Sequence, residues 1–266
     1  MTTPILMLGA GRLGGAMLEG WALTGAFRSA DLIVCDPQPG EVARKAAAAG
    51  ARLNPPEADL ALARTVLLAV KPQAWREAAQ ALAPHLSPEA VIVSVAAGVR
   101  ADDISAAFAG RPVARVMPIT AVAVAKGAGA VFAPDARAAA AAHALFDPIA
   151  SMVDVEDESL MDAVTAVCGS APAYLYAFVE ALEAAGEAEG LPPEAARTLA
   201  RSTIAGAAAL MTASGEDPAE LRRQVTSPAG TTEAALKVLM GEGGIGPLML
   251  RAVAAAANRS RELSKS

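Results

Sequence analysis

The first half of the chain carries short, mostly apolar runs at residues 5–8, 32–35, 65–70, 91–95 and 113–117, with Arg115 the one charge inside them. Runs of this length without polar alternation predict strands buried on both faces, as in a parallel sheet. Between them lie segments with helical spacing of apolar residues, at 16–23, 41–49, 59–64, 74–82 and 102–108. Residues 129–132 and 151–155 read as further strands, with a helix at 137–146 between them. Strand and helix therefore alternate to about residue 155, the order of a doubly wound α/β fold with a parallel sheet.

The pattern changes at Glu156, after which every periodic segment is helical. The stretch 162–189 reads as one long apolar helix, broken at Gly169, Ser170, Ala171 and Pro172, where the proline predicts a kink. Pro192-Pro193-Glu194 opens the next helix, Asp217-Pro218 another, and 245–263 is the last. The expected organisation is an α/β domain over 1–155 and an all-helical domain over 156–266. Alanine and glycine along these helices allow close helix–helix approach, which suits a dimer without naming the partner.

A chain of 266 residues suits one domain plus a smaller one, and 54% apolar residues supply a core. The net charge of −6, with no block of Lys or Arg, argues against a nucleic-acid surface. Cys35 and Cys168 lack CxxC spacing and read as reduced, buried thiols of a cytoplasmic protein. No signal peptide or membrane span is expected, because residues 1–9 lack a basic start and every longer apolar run is interrupted. Glu156, Asp157 and Glu158 read as helix-dipole acids, and neither His85 nor His143 has the partners of a metal or nucleophilic site. No metal is expected.

The candidate chemistry begins at the first strand, which runs into Gly9-Ala10-Gly11-Arg12-Leu13-Gly14 and then a helix. This is GxGxxG in the setting of a Rossmann-type dinucleotide domain. Gly9 permits the tight turn, Gly11 lets a pyrophosphate approach the backbone, and Gly14 lets the helix pack on the strand. Asp36 ends the second strand, where the fingerprint places a carboxylate for the adenosine ribose; a turn aspartate before Pro37 fits the position too. An acid there favours NADH. NADPH needs a cation for its 2′-phosphate, and Arg12, Arg44 and Lys45 are the candidates. Lys71, in Val70-Lys71-Pro72, stands at the carboxyl end of the third strand, where such sheets bind ligands. Ala96, Ala97 and Gly98 leave room for a flat ring.

Far along the chain, Val225-Thr226-Ser227-Pro228-Ala229-Gly230-Thr231-Thr232-Glu233 gathers hydroxyls and free amides at a helix N-terminus. The helix opens either with Ser227 as cap and Pro228 first, or at Thr231. Such a terminus suits a small anion, for example a carboxylate. A dinucleotide loop, a hydroxyl-rich anion site and no strong acid or base suit hydride transfer to a cyclic imine, whose nitrogen protonates readily near neutral pH.

These residues resemble the pyrroline-5-carboxylate reductase family over essentially the whole chain. The resemblance rests on the glycine loop, Val70-Lys71-Pro72, Val93-Ser94-Val95-Ala96-Ala97-Gly98-Val99, Arg115-Val116-Met117-Pro118, Ala166-Val167-Cys168-Gly169-Ser170-Ala171-Pro172-Ala173-Tyr174 and, most specifically, 225–232. It implies reduction of 1-pyrroline-5-carboxylate to L-proline with NADPH or NADH. It implies that Ser227, Gly230, Thr231 and Thr232 hold the substrate carboxylate, with Thr232 also reaching the ring nitrogen as the catalytic hydroxyl. Gly9, Ala10, Gly11, Arg12, Leu13, Val70, Lys71, Pro72 and Ala97, with Asp36, are the implied cofactor residues. The implied assembly is a homodimer, extended in some members to a decamer. Where the family usually continues Met-Pro with Asn-Thr-Pro, this chain has Ile119, Thr120 and Ala121, and the signature's Gly-Gly is Ala229-Gly230. A carbonyl reductase of the β-hydroxyacid dehydrogenase type is an alternative, but it usually carries a Lys on the long helix and 162–189 has none. A dinucleotide-binding sensor without catalysis is the other, favoured by Ile119 alone.

Overall fold

The computed structural model describes residues 2–264. Its α/β part contains β1 (Ile5–Leu8), α1 (Arg12–Thr24), β2 (Leu32–Cys35), α2 (Glu41–Ala48), β3 (Arg52–Leu53), β4 (Thr65–Leu68) and α3 (Trp75–Leu82). These are followed by β5 (Val91–Ser94), α4 (Ala101–Ala107), β6 (Val113–Pro118), β7 (Gly127–Phe132), α5 (Ala136–Phe146) and β8 (Ala150–Asp154). The eight strands form one sheet in the order β3-β2-β1-β4-β5-β6-β7-β8. Chain order reverses between β1 and β4, and such a switch point opens a crevice at the carboxyl ends of the strands.

The expected strands are all present, and they alternate between two apolar layers. On β1, Ile5 and Met7 join a core with Trp21 of α1 and Phe146 of α5. Leu6 and Leu8 point into a second core with Trp75 of α3 and Ile104 of α4. Helices therefore cover both faces, which is why the strands needed no polar side. Each fully buried aliphatic side chain here stabilises the fold by about 1.5–3 kcal/mol. The Trp21 indole N–H donates to the Leu145 carbonyl at 2.8 Å, so α1 and α5 are tied as well as packed.

The structure adjusts the expectation in three places. First, β7 runs antiparallel to β6, whereas every other pairing is parallel. Only a 3₁₀ turn at Thr120–Val124 separates the two, too short for a parallel crossover, so the chain doubles back. Second, the edge strand β3 was too brief to show a period. Third, the segment 59–64 is a 3₁₀ turn at Glu57–Leu62.

From Glu158 the described chain is helical: α6 (Met161–Val164), a π-helical turn at Thr165–Gly169, α7 (Ala171–Ala188), α8 (Pro193–Ser214), α9 (Pro218–Gln224), α10 (Thr231–Leu239) and α11 (Ile245–Leu263). The break comes before Pro172, not at it. Pro172 sits in the first turn of α7, where its missing N–H costs nothing, and the π turn carries the irregularity.

Packing divides the chain into two compact units. One runs to Gly169 and takes in the chain again from Ala256; the other is Ser170–Ala255. Within the first, the Ser260 hydroxyl on α11 donates to Asp162 at 2.5 Å. Ser264 lies against the loop after β5, where a methyl added to Gly98 would stand 3.3 Å from its hydroxyl. Within the second, Arg201 of α8 pairs with Glu183 of α7 at 2.7 Å. Among the described residues no helix is long and apolar enough to cross a membrane.

Candidate active site

The glycine loop links β1 to α1 at the switch point. Gly9 has φ +89, a left-handed conformation, and a side chain there would meet the Ala69 carbonyl oxygen at 2.8 Å. A methyl on Gly14 would lie 2.2 Å from the Gly9 carbonyl oxygen, so helix and loop touch backbone to backbone. Gly11 differs: a methyl there meets nothing within 4 Å. It caps α1 without a side-chain hydrogen bond. The first-turn amides of Arg12 and Leu13 have no helical carbonyl to bond, because they open the helix. An open approach to free amides at a helix N-terminus fits the pyrophosphate of a dinucleotide.

Asp36 lies beside this loop. Its Oδ2 accepts the Ala10 amide at 2.7 Å and its Oδ1 accepts the Gln38 amide at 2.7 Å. The Asp36 main chain is held in turn by Asn54, whose Oδ1 accepts the Asp36 amide and whose Nδ2 donates to the Asp36 carbonyl, both at 2.9 Å. Asp36 thus makes an Asp turn through Gln38, and its other oxygen holds the Ala10 amide of the glycine loop. Of the candidate cations, Lys45 pairs with Glu41 at 2.7 Å and the Arg44 guanidinium donates to the Pro39 carbonyl at 2.5 Å. Arg12 makes no ion pair among the described residues.

Val70, Lys71 and Pro72 follow β4, and Ala97 follows β5. Leu8 pairs in register with Leu68, and Leu68 with Ser94, so these residues share one edge with the glycine loop. Lys71, Pro72 and Ala97 are exposed and Val70 is half-buried. The next strand, β6, ends at Pro118. Ile119 is half-buried, and its amide donates to the Ala128 carbonyl at 3.1 Å, extending the β6–β7 ladder by one rung.

Below this edge sits an ion pair that sequence reasoning missed. Arg115 of β6 and Glu158 meet at 2.9 Å with side chains only 10% and 11% exposed. Glu158 also pairs with Arg100 at 3.2 Å and accepts the Ala101 amide at 2.6 Å. It is a helix-dipole acid, as expected, but for α4, a helix earlier in the chain. An arginine inside an apolar strand was the available signal, since such a charge needs a partner.

The signature turn belongs to the second unit. Gly230 caps α10, so the helix opens at Thr231, the later of the two expected starts. The Ser227 carbonyl accepts the Gly230 amide at 3.0 Å, and Glu233 accepts the Ala229 amide at 2.5 Å. Ala229 has φ +58, which explains a glycine at this position in the wider pattern and costs the alanine about 1–2 kcal/mol. The hydroxyls of Ser227, Thr231 and Thr232 make no hydrogen bond among the described residues, and the first-turn amides lack helical acceptors. On α7, the Tyr174 hydroxyl is buried without a partner among the described residues. The residues expected to hold the cofactor and the signature residues lie in different units.

The cysteines are free but half-buried, not fully buried, and burial raises both thiols above their ordinary pKa, which makes them poor nucleophiles. His143 bridges Asp147 at 2.9 Å and Asp154 at 3.1 Å, which is a structural role.

Two family models match the chain. Residues 4–98 match one described as NADP oxidoreductase, coenzyme F420-dependent. Residues 158–263 match one described as pyrroline-5-carboxylate reductase dimerisation. A pyrroline-5-carboxylate reductase of Pseudomonas aeruginosa is 39% identical over 272 residues, covering 100% of this chain and 98% of its own. One from Methanosarcina acetivorans is 35% identical, covering 97% of each chain. The solved structure of a pyrroline-5-carboxylate reductase from Coxiella burnetii has a TM-score of 0.91 at 30% identity, over 100% of both chains. A Plasmodium falciparum pyrroline carboxylate reductase solved with NADP bound shares the fold, with a TM-score of 0.84 at 22% identity over 98% of each chain. With near-complete coverage of relatives at this identity, the chain belongs to the pyrroline-5-carboxylate reductase family.

Proposed function

We propose that the two units divide the reduction of 1-pyrroline-5-carboxylate to L-proline, the first holding NADH or NADPH and the second holding the substrate. The observation that carries this is the turn before α10, where the hydroxyls of Ser227, Thr231 and Thr232 and the first-turn amides of the helix follow closely along the chain without hydrogen-bond partners among the described residues. Reduced nicotinamide, when bound, supplies the hydride that adds to the C=N carbon.

The chain's own residues do the rest. Gly9, Ala10, Gly11, Arg12 and Leu13 present the backbone to the pyrophosphate, and Asp36 accepts from the adenosine ribose hydroxyls. Val70, Lys71, Pro72 and Ala97 line the edge that takes the nicotinamide half. Ser227, Gly230, Thr231 and Thr232 bind the carboxylate through hydroxyls and amides. The Thr232 hydroxyl oxygen also accepts the N–H of the protonated imine, orienting the ring. The nitrogen arrives carrying its proton from water, so hydride addition completes the amine and no strong protein acid is needed.

The working unit is a homodimer formed by the helical region, with a decamer as its larger assembly, in the cytoplasm. Supporting this, Leu175, Phe178, Leu182, Leu199, Leu210 and Leu250 are exposed on α7, α8 and α11, a pattern of unpaired apolar side chains that marks an interaction surface. Light scattering reads the assembly directly. The activity test is steady loss of the reduced-nicotinamide absorbance when protein, 1-pyrroline-5-carboxylate and either dinucleotide are mixed. Dinucleotide binding without oxidation would overturn the reading.

A further inference from the structure

The parallel ladder between β2 and β3 stops in an unusual way. Asn54 donates its amide to the Val34 carbonyl at 2.8 Å, as a regular third residue of β3 would. A continuing strand would next accept the Asp36 amide on the carbonyl of residue 54 and donate to the Asp36 carbonyl from the amide of residue 56. Position 56 is proline, which has no N–H. The Asn54 side chain makes both bonds instead, through Oδ1 and Nδ2 at 2.9 Å each. Its backbone turns to φ +46 to do so, a left-handed conformation that asparagine tolerates better than most residues. A side-chain amide thus replaces a rung of main chain.

What this clasp holds is Asp36. With its peptide fixed on both sides, the carboxylate turns back under the glycine loop, and each oxygen takes one backbone amide, Ala10 or Gln38. A carboxylate oxygen has room for a second donor. Two such free positions match the two hydroxyls of an unmodified adenosine ribose. A 2′-phosphate meets a carboxylate that turns aside only by giving up both amide bonds. Two of the three candidate cations, Lys45 and Arg44, are already engaged with Glu41 and the Pro39 carbonyl.

We infer that Asn54 is a positioning residue for cofactor choice: its side-chain clasp on the Asp36 peptide locks the carboxylate in the orientation that favours NADH over NADPH. This rests on the reading of Asp36 as the ribose-facing acid.

The test compares Asn54→Gly and Asn54→Ala with the parent. Glycine suits the left-handed backbone, and this chain already holds alanine at φ +52 to +58 at Ala109, Ala125 and Ala229, so the fold accommodates either. Two readouts are used: the NADH-to-NADPH ratio of kcat/KM, and the calorimetric Kd values for NAD+ and NADP+ without substrate. Both variants should lower the preference for the non-phosphorylated dinucleotide about three- to tenfold, chiefly through tighter NADP+ binding. In the unliganded protein, hydrogen exchange at the Ala10 and Gln38 amides should speed up. A loss that falls equally on both dinucleotides, leaving the ratio unmoved, would mean that Asn54 is merely structural and would overturn the inference. Asp36→Ser separates the two levels. If it leaves the ratio unchanged, the ribose reading of Asp36 fails and the inference with it. If it moves the ratio and the Asn54 variants do not, only the clasp is wrong.

Discussion

Glu158 and Arg115 form an ion pair at 2.9 Å that is nearly sealed from water. A charge so placed is tolerable only while its partner is present. Glu158→Gln leaves the Arg115 guanidinium buried without a counter-charge, while the amide still offers one oxygen to the Ala101 amide. The expected loss is about 3 kcal/mol, at the low end for breaking a buried pair. Replacing both residues, as Arg115→Met with Glu158→Leu, should recover part of it, because no buried charge remains. Denaturant melts of the singles and the double give the coupling, and a single-variant loss below about 1 kcal/mol would show that water reaches the pair.

His143 makes stability depend on pH. Its hydrogen bonds to Asp147 and then Asp154 raise the imidazole above its ordinary pKa of 6.5, against a smaller opposing effect of burial. The folded state therefore binds the proton more tightly than the unfolded chain. Its contribution is complete below the ordinary imidazole pKa and fades as pH rises through the folded value. The Tm difference between parent and His143→Gln should be largest near pH 5.5 and shrink by about pH 9. A difference that grows with pH would reverse the sign and remove the clamp.

Thr232→Val keeps the shape of the side chain and removes one hydroxyl at the start of α10. If that oxygen bonds the ring nitrogen or the carboxylate, kcat/KM for the imine should fall about 10- to 100-fold, the worth of one or two hydrogen bonds to a charged group. The KM for the dinucleotide should stay put. Unaltered efficiency takes Thr232 out of the mechanism.

Ile119 tests whether the reaction needs a side-chain amide just past the end of β6. Its main chain is pinned to Ala128, so the substitution to asparagine changes chemistry with little change of path. The parent should be active, and Ile119→Asn should lie within about tenfold of it, near 1.4 kcal/mol. A silent parent revived by this one change would point to a protein that binds dinucleotide without turning it over.

The strands, the glycine loop and the order of helices were legible because each follows from local composition. Ile5–Leu8 carries no charge and ends in glycine, and little else that sequence can do satisfies both cores. The signature turn was legible as a cluster of hydroxyls, although its helix start was not: Pro228 fits a first position, and only the left-handed Ala229 moves the start to Thr231. What stayed hidden depends on partners distant in sequence. Glu158 reads as no more than a helix-dipole acid until Arg115 is seen opposite it. Asn54 shows nothing in the sequence until Asp36, 18 residues earlier, is seen held by its side chain. The reversal of β7 was hidden because direction is set by the length of a connection, not by the strand's own residues.

The last turns of α11 carry a consequence for biogenesis. Ser260 anchors to Asp162, and Ser264 closes against the loop that follows β5. During synthesis, the first unit emerges from the ribosome long before these residues do. It must wait, with Asp162 unpaired and that loop uncovered, until the whole of Ser170–Ala255 has been made. The nucleotide-holding unit is thus the first to be started and the last to be finished, and a nascent chain stalled within α8 should show the sheet protected but the Asp162 segment still open to protease.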